Sequence, residues 1–188
     1  MGFLDTEETT EHISDIDGAV TPDAAIAALH EHELFLRTDP FYLAHAALAT
    51  GRHEVRLPDA IQAKLAHPAG AAGAPPTTVF FDHVDRVPGY AAKFMPGVST
   101  TTTHYQFTDT TDGVYIHGFC GMNVLVVRTY EIVVGGQGSS GLRLVERVRV
   151  RCSKLLRGVV RSSIADNWHF FHEAFVAKMG GEVAAPAS

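Results

Sequence analysis

The stretch LRLVERVRVRC, residues 142–152, alternates between apolar and mainly charged positions. Its even-numbered positions carry leucine, valine and cysteine, whereas its odd-numbered positions carry mainly arginine. Because a β-strand sends alternate side chains to opposite faces, this stretch is predicted to be a strand with one apolar face. Glu146 is the one carboxylate on that apolar face. Burying an unpaired charge is costly, so Glu146 is expected to be paired, hydrated in a cavity, or held protonated.

Further extended segments run through the middle of the chain. Alternating or β-branched runs predict strands at 7–17, 77–87, 99–109, 113–121, 124–134 and 142–153. Turn residues at 111–113 and 135–141 separate several of these runs by short links, which favours an antiparallel meander. A further short strand is possible at 52–57.

Helical signals lie on both sides of this run of strands. Thr21-Pro22-Asp23 predicts a helix start, with a hydroxyl cap and proline at the first helical position, leading into one or two short helices. Residues 41–48 are interpreted as another helical turn or two. From Leu156 to Met179, apolar residues recur every three or four positions, which predicts one amphipathic helix of about 25 residues. Ser153 is available near its start as a cap.

Composition excludes several classes of function. The 188 residues are 46% hydrophobic and 19% charged, which indicates one soluble domain with a substantial core. The net charge of -6 argues against a nucleic-acid partner, and the apolar runs fall short of the about 18 residues that cross a membrane. Two cysteines without a CxxC motif, and the lack of a signal peptide, favour a reducing, cytoplasmic location.

The order of a strand, short helices, about six strands and a long terminal helix resembles the helix-grip fold of the START-like (SRPBCC) superfamily, which includes polyketide cyclases and lipid-transfer domains. The segments TPDAAIAALHEHELFLRTDP, YQFTDTTDGVYI and LRLVERVRVRCSKLL carry this resemblance. Within the superfamily, LHEHELFLRTDP and LVERVRVRCSKLL are similar to segments of a fungal domain family of unknown function. The resemblance implies an α+β fold in which a seven-stranded antiparallel sheet curls around the terminal helix and leaves a cavity.

One helix-grip domain is therefore expected over residues 1–188, with its folded core at about 10–179. The segment 59–76 ends in alanine, glycine and proline and is interpreted as a mobile loop, and 180–188 as a flexible tail. The apolar segment 87–98 would form a loop at the mouth of the cavity.

Glu146 is the first candidate for a catalytic role. In an apolar cavity its pKa is expected to rise, which suits a general acid or base. The structural alternative is an ion pair, for instance with Arg128 on a neighbouring strand.

Histidines and tyrosines are the candidates to act with Glu146. His83 and His117 could face inward beside tyrosines and form an acid and base set that needs no cofactor. In TTVFFDHVDR, residues 77–86, alternation leaves open whether Asp82 or His83 points inward. The plain alternative for each histidine is a hydrogen-bonded or exposed imidazole. The candidate catalytic residues are Glu146, His83, His117 and Tyr105, and the candidate substrate-binding residues are Tyr90, Phe94, Met95, Tyr115, Arg128, Tyr130, Trp168 and His172.

Histidine spacing does not predict a metal site. In HFFHE, His169 and His172 are three residues apart and do not form an HExxH motif, and His30 and His32 would share a face only on a strand. The sequence also has no P-loop, no GxSxG, and no GxGxxG after a strand. The chain is therefore expected to work without a metal or cofactor.

These patterns, with the resemblance, favour a cofactor-independent cyclase, isomerase or dehydratase. Its partner would be a hydrophobic small molecule such as a polyketide or terpenoid intermediate of secondary metabolism. One alternative is a non-catalytic carrier of a lipid, sterol or metabolite, in which Glu146 orients a polar head. Another is an interaction module whose own side chains fill the cavity. A monomer or a homodimer is expected.

Overall fold

The computed structural model describes residues 5–16, 20–53, 55–66, 77–89, 97–135 and 141–180. These residues form the strands β1 (Asp5–Ile16), β2 (Tyr42–Leu48), β3 (Thr78–Arg86), β4 (Thr100–Thr110), β5 (Gly113–Cys120), β6 (Val124–Val134) and β7 (Leu142–Ser153). They also form the helices α1 (Pro22–Leu29), α2 (His32–Arg37), α3 (Asp59–Gln62) and α4 (Arg157–Gly180).

The seven strands make one antiparallel sheet in the order β1-β7-β6-β5-β4-β3-β2. The first strand pairs with the last, so β1 and β2 are the two edges of the sheet. Helix α4 packs on β1 and β7 and also contacts α2, while α1 contacts β5 and β6. The predicted α+β architecture, a seven-stranded sheet curled around a long C-terminal helix with two short helices after the first strand, is confirmed.

The register gives the sheet two different faces. In β7, Leu144, Val148 and Val150 are buried on the face that also carries Glu146, while the alternating arginines at 147, 149 and 151 are exposed on the other. We call these the inner and the outer face. Phe107 and Tyr130 extend the inner face across neighbouring strands. Tyr130 packs against Phe171 of α4, and Phe107 packs against Phe35 of α2. Burying this apolar surface against the helices is the main stabilising contribution to the fold.

Two local predictions in the first third of the chain are wrong. Residues 42–48 of the segment 41–48, interpreted as helical, form the edge strand β2, in which Ala44–Leu48 pair with Phe80–Val84. Alanine favours helices, but pairing with β3 overrides that local preference. The possible strand at 52–57 is not formed by residues 52, 53 and 55–57.

The predicted cap of α1 is confirmed, whereas the residue considered as a cap for the terminal helix does not cap it. Thr21 caps α1 as expected, since its Oγ1 accepts a hydrogen bond of 3.3 Å from the Ala24 N–H. The long terminal helix is confirmed at 24 residues. Ser153 does not cap it, because α4 begins only at Arg157 and the Ser153 Oγ accepts from the Leu155 N–H in the preceding turn.

The segment 59–76, interpreted as a loop, is in part ordered. Residues 59–62 form α3, and Leu65 makes an isolated β-bridge to Thr110. Residues 67–76 of that segment, and 181–188 of the expected tail, lie outside the described residues.

Candidate functional site

A cavity of about 220 Å³ lies between α4 and the inner face of the sheet. Its apolar wall consists of Val87, Pro88, Val124, Val126, Val159, Val160 and Ile164. Its charged or strongly polar lining consists of Asp39, Asp85, Tyr105 and Arg128. Apolar walls with a few convergent polar groups are typical of small-molecule sites. The helix-grip cavity implied by the resemblance is therefore open against α4.

Glu146 does not line this cavity, but it is hydrogen-bonded to Arg128, which does. The Glu146 side chain is completely buried. Its Oε1 accepts hydrogen bonds from Arg128 Nη1 at 2.7 Å and from the Tyr130 hydroxyl at 2.6 Å, and its Oε2 lies 2.9 Å from His12 Nδ1. The ion pair with Arg128, considered above as the structural alternative, is thus present.

The expected rise in the pKa of Glu146 is wrong. Burial alone would raise the pKa, but the charge of Arg128 and hydrogen bonds from the surrounding side chains outweigh burial and hold the pKa of Glu146 well below its usual range. A carboxylate so stabilised is a weak base and is not available as an acid at neutral pH. Its effect on the cavity is to hold Arg128.

Arg128 brings unused hydrogen-bond donors to the cavity. Its Nη1 contacts Glu146 and, at 3.4 Å, the Tyr130 hydroxyl, whereas its Nε and Nη2 have no acceptor among the described residues. The guanidinium carbon lies 5.6 Å from the centre of the Phe35 ring. Burial would lower the pKa of Arg128, but Tyr130 and Glu146 raise it above its usual value. Arg128 is therefore a cation that Glu146 holds in place, and its Nε and Nη2 groups have no acceptor among the described residues.

Tyr105 supplies a second donor to the same cavity. It projects from β4 on the inner face and packs edge-on against Phe35. Its hydroxyl has no hydrogen-bond partner among the residues that the structure describes. Burial raises the pKa of Tyr105 well above its usual value, so the side chain remains a neutral phenol.

Asp39 and Asp85 are the carboxyl groups that reach the cavity, and the sequence patterns did not single them out. Asp39 follows α2, and its Oδ1 accepts a hydrogen bond of 2.7 Å from the Phe41 N–H. Burial raises the pKa of Asp39; this hydrogen bond offsets part of the rise, and the nearby charge of Asp85 adds to it. A carboxyl group with a raised pKa beside a cavity is a candidate for proton transfer.

His83, and not Asp82, points inward. His83 is buried; its Nε2 donates a hydrogen bond of 2.8 Å to the Leu36 carbonyl, and its Nδ1 lies 3.1 Å from the Asp85 carboxylate. Burial would lower the pKa of His83, but the partnership with Asp85 outweighs burial and raises it. His83 does not line the cavity, so among the described residues it is placed to orient Asp85. The spacing of His83 and Asp85, two residues apart on one strand, is the signal that could have pointed to Asp85.

His117 and Tyr115 lie on the outer face, so the inward placement expected for His117 is wrong. In the strand register they alternate with Val114 and Ile116, which belong to the buried core, and they pair with the outer-face residues Gln106 and Thr108. The local pattern could not decide this, because almost every residue of β5 is buried.

Acidification is expected to destabilise the protein through His117. Burial, with the charges of Arg149 and Arg151 added, lowers the pKa of His117 to about 4. Because the unfolded chain would bind this proton near pH 6.5, the stabilising contribution of neutral His117 is complete above that pH and is lost as the pH falls from about 6.5 to about 4. Urea unfolding at several pH values should give a shallower decline for His117→Phe than for the unmodified protein. Parallel declines would contradict the assignment.

The remaining candidates are placed around Glu146 or lie outside the described residues. Trp168 stacks on His12 with ring centres 4.6 Å apart, and His172 Nδ1 is 2.8 Å from the Ser14 hydroxyl. His172 Nε2 lies 3.6 Å from Glu146 Oε2 and has no hydrogen-bond partner among the described residues. Neither Trp168 nor His172 lines the cavity. The predicted mouth-loop residues Tyr90, Phe94 and Met95 lie outside the described residues.

Metal-binding clusters and membrane-spanning helices are both absent from the described residues. Within them, no group of three or more His, Cys, Asp or Glu side chains is arranged to hold a metal ion. None of the helices described above combines the length and the apolar character needed to cross a bilayer.

Among solved structures, the chain is similar to the di-domain ARO/CYC StfQ from the steffimycin biosynthetic pathway, with a TM-score of 0.55 and 14% sequence identity. The match covers 93% of this chain and 52% of that one, so the chain spans about half the length of StfQ. At this identity the likeness shows a shared cyclase-like helix-grip fold. A search of curated proteins found no match.

A family model also matches the chain. It is described as a domain of unknown function, DUF7053, and it matches residues 5–181, which include every strand and helix described above. The chain therefore belongs to the DUF7053 family.

Proposed function

We propose that the protein is a cofactor-independent enzyme that cyclises, isomerises or dehydrates a hydrophobic small molecule bearing a carbonyl group. The observation that carries the proposal is the apolar cavity into which Arg128 and Tyr105 bring hydrogen-bond donors that have no acceptor among the described residues. Polyketide and terpenoid intermediates match the chemistry of this cavity, because they combine apolar surface with carbonyl groups that can form enolates. The fold shared with an ARO/CYC protein supports the same class of substrate.

Arg128 and Tyr105 would stabilise the charge that develops on the carbonyl oxygen. When a proton leaves the neighbouring carbon, this oxygen becomes an enolate, and donors already in position stabilise it without reorganising. Glu146 holds the guanidinium through Nη1 and leaves Nε and Nη2 for the substrate. The role expected for Glu146 as proton carrier thus becomes a positioning role.

Asp39 would carry the proton. Its carboxylate takes a proton from the carbon beside the carbonyl, and the electrons of the broken C–H bond form the enolate. The enolate carbon then attacks a second carbonyl of the same molecule, and the alkoxide that forms takes the proton back from Asp39. In the dehydration, the enolate instead expels a β-hydroxyl group, which takes the same proton from Asp39 and leaves as water. The apolar walls would hold a flexible substrate in the folded conformer that these steps need.

The experiment incubates the purified protein with linear polyketones, terpenoid ketones and sterol ketones and follows conversion by mass spectrometry. At least one class should be converted. Tyr105→Phe should lower kcat about 100-fold, because it removes one donor to the enolate oxygen. Tyr115→Phe is the matched control, since Tyr115 lies on the outer face, and its kcat should stay within about twofold of the unmodified protein. Equal rates for the two variants would contradict the proposed role of Tyr105.

A carrier protein is the second candidate. It is favoured by the predominance of valines in the cavity wall and by the suppressed basicity of Glu146. Saturable binding without conversion, with affinity lowered in Tyr105→Phe, would support the carrier. The absence of both binding and conversion across the panel would contradict both functions.

A further inference from the structure

A second, larger cavity of about 570 Å³ lies at the outer face of the sheet. Four of its lining residues form a row across four paired strands: His104, Phe119, Leu125 and Arg151. His53, in the segment after β2, lies over the same row. The 3₁₀ turn Gly121–Asn123 closes one end, and Cys120, Gly121, Met122 and Val124 are shared with the lining of the inner cavity.

Arg151 provides a cation to this outer cavity. Its side chain is exposed and makes no ion pair or hydrogen bond with the described residues. Arg147, on the same face of β7, is by contrast engaged by both Glu11 and Glu131. The Arg151 guanidinium is therefore available to bind an anion, and a planar carboxylate or phosphate fits its paired donors.

The cavity also offers an aromatic surface made of tilted rings. The His53 ring lies over Phe119 with ring centres 4.4 Å apart and an interplanar angle of 37°. His104 lies 5.9 Å from His53, centre to centre, and its Nδ1 bonds Asp82 at 2.6 Å, which leaves Nε2 for another partner. A planar ring inserted here would contact apolar and imidazole rings and would find a polar nitrogen at its edge.

The backbone of the closing turn is unusual for a surface without a ligand. Met122 and Asn123, at the closing turn, both have left-handed backbone angles, with φ of 60° and 57°. Consecutive left-handed residues other than glycine are uncommon, and such strain concentrates at functional sites.

We propose that the outer cavity is a second binding site, for a planar aromatic molecule that carries an anionic group. The ring packs beside Phe119 and His53, and the anion pairs with Arg151. This proposal is independent of the enzymatic function proposed for the inner cavity, because Arg128, Tyr105 and Asp39 take no part in it.

The test titrates the full chain with 1-naphthoate and, separately, with the uncharged 1-naphthalenemethanol, and follows histidine side-chain signals by NMR. Naphthoate should shift the signals of His53 and His104 saturably and bind about tenfold or more tightly than the alcohol. Arg151→Gln should remove that preference. Arg149→Gln is the matched control, because Arg149 is exposed on the same strand and face but does not line the cavity, and it should change affinity less than twofold.

Three results would overturn the proposal. The first is equal affinity for the acid and the alcohol, and the second is an equal loss in Arg149→Gln and Arg151→Gln. The third is a response to naphthoate that leaves His53 and His104 unshifted. Because the unmodified protein alone gives the first and third results, the test does not depend on how the variants fold.

Discussion

Replacing Arg128 by methionine should destabilise the protein by about 3–5 kcal/mol. The change removes the counter-ion of Glu146, whose side chain is completely buried. The remaining neighbours are the Tyr130 hydroxyl, His12 and His172, and none of them carries the permanent charge of a guanidinium. An uncompensated buried carboxylate is much less stable than a paired one. The free energy of unfolding in urea measures the effect.

The double variant Arg128→Met with Glu146→Leu should recover most of this loss, because apolar residues of similar size often replace a buried ion pair without cost. Arg147→Met is the control for an exposed pair. Its side chain is 48% exposed, so its loss should be below about 1 kcal/mol. If Arg128→Met costs no more than Arg147→Met, Glu146 does not depend on Arg128 for its charge.

The Arg128→Met deficit should also depend on pH. The native state holds the pKa of Glu146 below its usual value, so the stabilisation is present above about pH 4.3, the usual pKa of glutamate. It is lost as the pH falls through the lower native value. The difference between the unmodified protein and Arg128→Met should therefore shrink on acidification below about pH 4.3.

Asp39→Asn should lower turnover of a converted substrate by about 100-fold to 10,000-fold, the usual contribution of a positioned general base. Asparagine keeps a side-chain oxygen for the Phe41 N–H, so the turn after α2 should be preserved. Ligand affinity should change little, because the variant loses the proton acceptor and keeps the walls of the cavity. Steady-state kinetics with a separate binding measurement distinguishes the two effects.

Asp166→Asn, at an exposed position of α4, is the control and should leave turnover unchanged. In the unmodified protein, kcat should rise with pH through the raised pKa of Asp39, because only the ionised carboxylate accepts a proton. A fully active Asp39→Asn would remove Asp39 from the mechanism. Loss of ligand affinity in place of turnover would assign Asp39 to binding.

Much of the fold could be predicted from the sequence, because the decisive patterns are periodic within single segments. Alternation in 142–152 predicted β7 and its buried Glu146, and the recurrence of apolar residues from Leu156 to Met179 predicted α4. Such patterns need no knowledge of the partner strand or helix. Arg128 could also be suggested as the partner of Glu146, since both lie on the apolar faces of consecutive strands.

Local residue patterns thus suffice to predict the class of fold and a buried carboxylate, whereas the chemistry around that carboxylate depends on tertiary contacts. The direction of the Glu146 pKa shift depends on Arg128 and the other side chains that meet it in space. The segment 42–48 contains several alanines but forms a strand because it pairs with β3. The pairing of β3 with β4 places His83 on the inner face. Asp39 lines the cavity because the turn after α2 places it near Arg128 and Asp85. Contacts between residues distant in the chain decide these features, and no local pattern encodes them.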